Sequence, residues 1–110
     1  MSRAGKKSAK VHALDTESWE WDQLPDLNFA RYLHSSTSLG RAVYVACGVG
    51  NHEEYLNSVE RLEMGGTGSA ETQQQAWSLI ETPEITPRRY PVFSQISPDE
   101  LCILGGGFAG

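Results

Sequence analysis

Two apolar runs, each closed by glycines, lie 58 positions apart: Val43-Tyr44-Val45-Ala46-Cys47-Gly48-Val49-Gly50 and Leu101-Cys102-Ile103-Leu104-Gly105-Gly106-Gly107. A short apolar run that stops at glycines reads as a buried strand entering a tight turn. Other landmarks repeat in the same order around it. Trp21 matches Trp77 at 56 positions, Arg31 matches Arg88 at 57, and Gly48 matches Gly106 at 58. Each copy runs from a tryptophan strand through a Pro-containing turn, an arginine, a polar strand, a second turn and an apolar strand to the glycines. A fixed period of this size, with several short strands per unit, predicts an all-β array of propeller blades.

The local patterns fill in that frame. Met1 to about Leu14 shows no period and is expected to be a disordered basic tail. Trp19 to Leu24 alternates, which predicts a strand ended by Pro25-Asp26. Leu39-Gly40-Arg41 predicts a hairpin turn out of the polar run at Ser35 and into a strand over Ala42 to Ala46, and Cys47 to Glu54 then reads as a loop. In the next stretch Tyr55, Leu56, Val59 and Leu62 fall at helical spacing, so taken alone it reads as a short helix. Gly65 to Ala76 reads as a flexible loop, and Trp77 to Ile80 as a short strand. Thr82-Pro83 and Thr86-Pro87 bound a turn. Arg88 to Ile96 is strand-like, Ser97 to Glu100 is a turn, and the closing apolar strand follows.

These residues resemble the kelch repeat. Arg88, the run Leu101 to Gly106, the segment Leu56 to Glu63 and Trp77 match that family's unit in kind and order, over roughly Trp19 to Gly110. Two departures stand out: Cys47-Gly48 where the family has a glycine pair, and a longer loop at Gly65 to Ala76. The resemblance implies that Tyr55 to Met64 is a strand. It also implies a partial propeller of antiparallel four-stranded blades with an open ring. The last strand of one blade would lie at 19–24, a full blade at about 29–81, and the start of the next at 88–110. In the family, loops on one face bind other proteins. Here those are Gly48 to Tyr55, Pro25 to Ala30, Glu81 to Pro87 and Phe108 to Gly110. The expected partner-contacting residues are Asn51, His52, Glu53, Arg31 and Arg88, with blade packing an equal reading of the two arginines. Trp21, Trp77, Gly48, Gly105 and Gly106 would be structural positions of the repeat.

Composition narrows the function classes. Four of the nine basic residues lie in the first ten positions, which hold no acid, so the rest carries 5 basic against 14 acidic residues. So acidic a body argues against a nucleic-acid surface. No apolar run approaches membrane-spanning length. Cys47 and Cys102 sit on strands rather than in a framework, which favours a reducing, cytoplasmic setting; the basic tail also fits a nuclear localisation patch. His12, His34 and His52 lack ligand spacing, so neither metal nor cofactor is expected. Glu53-Glu54 reads as solvated loop rather than a general acid and base.

One rival motif remains. Gly105 to Gly110 satisfies the glycine spacing of a dinucleotide-binding turn, but the following helix and acidic residue are missing. The alternative to a protein-binding fragment of a longer adaptor or scaffold is therefore a truncated enzyme: a kelch-type oxidase or epimerase, or a dinucleotide-dependent oxidoreductase. The open side of Leu101 to Leu104 predicts edge-to-edge self-association.

Overall fold

The computed structural model describes residues 7–64, 76–82 and 85–107. All regular structure among them is β, in three antiparallel sheets that do not close on one another. The first sheet pairs β1 (Val11–Asp15) with β2 (Glu20–Leu24). The second runs in chain order through β3 (Ser35–Leu39), β4 (Ala42–Val49), β5 (Tyr55–Glu63) and β6 (Ser78–Ile80). The third pairs β7 (Val92–Ser97) with β8 (Glu100–Leu104).

The four-stranded sheet is covered on both faces, and this shapes its sequence. Successive side chains alternate between faces. On one face Val45, Leu62 and Trp77 pack with Leu27, and Ala9, Val11, Leu24 and Val43 close the layer. On the other, Ala46, Cys47 and Val59 meet Tyr44, Phe93 and Ile103. Tyr44 and Phe93 stand edge to face with ring centroids 6.5 Å apart, a favoured aromatic geometry.

Two-sided burial also explains why the stretch at Tyr55 reads locally as a helix. Val59 serves one layer and Leu62 the other, so its apolar residues show no simple alternation. Pairing with β4 along one edge and β6 along the other makes it a strand.

The repeat is visible atom by atom. Tyr32 and Val49 form an isolated bridge, and so do Arg89 and Gly107. The first and second residues of each glycine segment lie at positive φ: Cys47 at 66° and Gly48 at 102°, Gly105 at 73° and Gly106 at 96°. A Cβ on Gly48 would come within 2.6 Å of the Tyr32 carbonyl oxygen, and one on Gly106 within 2.6 Å of the Arg89 carbonyl oxygen. No side chain fits there, which is why both copies keep glycine at this position. Successive units are stitched alike: the Arg31 N–H donates to Ser8 O at 3.1 Å, and the Arg88 N–H to Leu56 O at 3.2 Å.

Three expectations are corrected. Residues 1–14 do not all lack structure, since Val11 to Leu14 belong to β1. The first sheet therefore has two strands; alternation around Val11 is short and was masked by the charged tail. β4 does not stop at Ala46 but continues to Val49, because a bulge at Cys47 shifts the register without ending the pairing. The third sheet begins at Val92 rather than Arg88, because Arg89 makes only a single bridge and Tyr90 turns at φ 57°. The loop Gly65 to Gln75 and the segment Phe108 to Gly110 lie outside the described residues.

Candidate functional site

The connections β2–β3 and β4–β5 meet at one end of the sheets, and a buried ion pair holds them there. Arg31 is 2% exposed and Glu60 is fully buried. The guanidinium donates to the Glu60 carboxylate at 2.6 Å, to Cys47 O at 2.9 Å, and to Ser58 O and Oγ at 3.1 and 3.0 Å. The carboxylate also accepts the backbone N–H groups of Asn28 and Phe29 at 2.7 and 3.1 Å, and the Asn28 side chain at 3.1 Å. Both charges are therefore satisfied, the condition under which burial is tolerated. Arg31 is withdrawn from the expected partner-facing set: its head locks the β2–β3 connection onto β4 and β5.

Arg88 repeats part of this pattern near the surface. It donates to Gly105 O at 3.1 Å, as Arg31 does to the matching Cys47 O, and to Thr86 O at 3.0 Å. Trp77 is 5% exposed, and its indole N–H donates to Pro25 O at 2.9 Å. Trp21, its counterpart, is 65% exposed. Gly105 and Gly106 lie in the segment that leads into the bridge with Arg89.

On this frame Gly50 to Glu54 forms a tight loop. The Gly50 N–H donates to Glu54 O at 2.9 Å, the Glu53 N–H to Gly50 O at 3.1 Å, and Glu53 lies at φ 63°. The His52 N–H donates to the Glu54 carboxylate at 2.8 Å. A hollow of about 300 Å³ opens between the two connections, lined by Asn28, Phe29, Ala30, Asn51, His52 and Glu54. Asn51, His52 and Glu53 thus come together, and all three are exposed.

Three further residues join them. Lys7 donates its backbone N–H to Asn51 Oδ1 at 2.8 Å and its ammonium to Glu53 at 2.5 Å. The ammonium also lies 4.8 Å from the centroid of the Tyr32 ring, within cation–π range. Its pKa is raised, chiefly by the hydrogen bond to Glu53. Phe29 and Tyr32 present half-exposed rings beside the hollow. Lys7 carried no sequence signal, because it lies in an aperiodic stretch; the exposure of Phe29 and Tyr32 depends on the turn that the Arg31–Glu60 pair fixes.

No protein-family model matches the chain, and no curated protein matches it. Among the described residues no cluster of three or more His, Cys, Asp or Glu could hold a metal ion. None of them forms a helix long and apolar enough to cross a membrane.

Proposed function

We propose that the chain is a kelch-type repeat module that binds another protein through this loop cluster, and that the cluster takes up an extended segment carrying a lysine. The seating of Lys7 carries the reading: one acceptor for a backbone N–H, one carboxylate for an ammonium and one aromatic face serve a single lysine residue. Asn51, Glu53 and Tyr32 are the recognising groups. The acidic balance of the chain outside its first ten residues favours a basic partner and speeds its approach. Arg31 and Glu60 hold the loops without touching the partner.

The test uses Lys7→Ala, which vacates the cluster, and a peptide Ala-Gly-Lys-Lys-Ser copied from residues 4–8. Amide shifts on titration should centre on Asn51 and Glu53, fade as salt rises, and shrink in the Glu53→Gln variant. Shifts elsewhere, or binding indifferent to Glu53→Gln, would defeat the reading.

A further inference from the structure

The chain holds three Ser/Thr-Pro pairs, Thr82-Pro83, Thr86-Pro87 and Ser97-Pro98, and the fold treats their hydroxyls differently. Thr82 is half-buried, and its hydroxyl donates to Asn57 O at 2.8 Å. Ser97 ends β7 at the hairpin turn. It is also half-buried; its hydroxyl donates to the Glu100 carboxylate at 3.0 Å and accepts the Asp99 N–H at 3.3 Å. Thr86 is exposed, as is Pro87, and among the described residues the Thr86 hydroxyl makes no hydrogen bond.

Thr86 and Pro87 form a short stretch between two fixed points. On one side Ile85 O accepts the Asn57 side chain at 3.0 Å; on the other the Arg88 N–H donates to Leu56 O at 3.2 Å. A following proline keeps Thr86 extended, the form in which a kinase cleft takes its substrate. Beyond Pro87, Arg88 is half-buried, whereas Arg89 is exposed with its guanidinium 5.9 Å from the centroid of the Tyr55 ring. Thr86, Pro87 and Arg89 are thus presented together at the surface. Charge separates the three sites as well. Two arginines follow Thr86, whereas Glu81 and Glu84 flank Thr82, and Asp99 and Glu100 follow Ser97. A phosphate is favoured beside guanidinium groups and opposed beside carboxylates.

We propose that Thr86 is a phosphorylation site, served by a protein kinase whose cleft takes proline at the next position and pairs an acidic group with Arg89, and that Arg88 holds the phosphate. The Thr86 hydroxyl oxygen attacks the γ-phosphorus of ATP. The new O–P bond forms as the bond to the β,γ-bridging oxygen breaks; ADP leaves, and the hydroxyl proton passes to the catalytic carboxylate of the kinase. The phosphate arrives beside a guanidinium that already donates to Thr86 O at 3.0 Å and to Gly105 O at 3.1 Å. A phosphate dianion is a stronger acceptor than a carbonyl, so it competes with these partners and slackens the hold of Arg88 on the glycine segment after β8. The site does not depend on the lysine cluster of the proposed function.

The test uses the full chain, ATP and two kinases. A kinase that selects proline alone, with each rate normalised to that on the matching excised peptide, should modify the folded chain at Thr86 at least tenfold faster than at Thr82 or Ser97. A kinase that also selects a basic residue three positions on should lose at least tenfold in rate on Arg89→Ala and keep most of it on Arg89→Lys, with unchanged circular dichroism in both. In the phosphorylated chain the Arg88 Nε–H and Gly106 amide resonances should move, and they should stay in place when Thr86→Ala is treated alike. No phosphate at Thr86, comparable normalised rates at the three sites, a rate indifferent to Arg89→Ala, or an unmoved Arg88 resonance would overturn the proposal.

Discussion

Replacing Arg31 by alanine should be among the most damaging single changes this chain can suffer. The substitution removes the guanidinium donors to Cys47 O, Ser58 O and Glu60, and leaves a carboxylate with no exposure and no counter-charge. Breaking a buried pair from one side costs about 3–5 kcal/mol, against a total stability of roughly 5–15 kcal/mol for a domain. The retained N–H donors from Asn28 and Phe29 soften the loss but cannot replace a full charge. Urea unfolding at fixed protein concentration should show the midpoint falling by about a fifth or more. Arg88→Ala, nearer the surface, should cost less: its bonds to the Thr86 and Gly105 carbonyls contribute about 1–2 kcal/mol. The double variant Arg31→Ala/Glu60→Ala should lose less than the sum of its singles, because each single removes the same pair. An Arg31→Ala midpoint within error of the parent, or strict additivity in the cycle, would refute the keystone role.

Two further outcomes follow from the same packing. Trp77→Ala should cost about 3–5 kcal/mol in the same urea assay, whereas Trp21→Ala on the open face should cost under about 1 kcal/mol in the monomer; equal losses would contradict the assigned burial. His34 has its pKa lowered, first by burial and then by the nearby Arg31. The fold therefore favours neutral His34, so its contribution is complete above the ordinary histidine value of about 6.5 and is lost as pH falls through it. The stability difference between the parent and His34→Gln should narrow on acidification over that window, and a difference that is flat with pH would disprove the burial argument.

Much of the fold was legible in the sequence because its strongest signal was a repeat. The spacing of Trp21 and Trp77, of Arg31 and Arg88, and of the two glycine segments locates matching points in successive units, and the structure puts equivalent bridges beside both glycine segments. Local periodicity was weaker. β5 hides its strand character because both its faces are buried, and β1 is a five-residue strand beside a charged tail. The candidate site was legible as a loop containing Asn51, His52 and Glu53. Its occupant was not, since Lys7 reaches those residues only after β1 has docked on the sheet; the 44 positions between Lys7 and Asn51 leave no pattern to read. Nor could the sequence separate the two roles of arginine. Arg31 is buried with the Glu60 carboxylate against it, whereas Arg88 is half-buried and donates to the carbonyls of Thr86 and Gly105.

Amide hydrogen exchange, read residue by residue, tests most directly whether one unit recurs along the chain. Tyr32 and Val49 exchange bonds across one bridge, and Arg89 and Gly107 across its counterpart; Gly48 and Tyr90 donate across the junction between the second and third sheets. The account predicts slow exchange at all six, with Tyr32 matched by Arg89 and Val49 by Gly107 in order of protection. Protection at Tyr32 and Val49 with exchange at the unfolded rate for Arg89, Tyr90 and Gly107 would mean the third sheet is not a packed copy of the second, and would contradict the account at its centre.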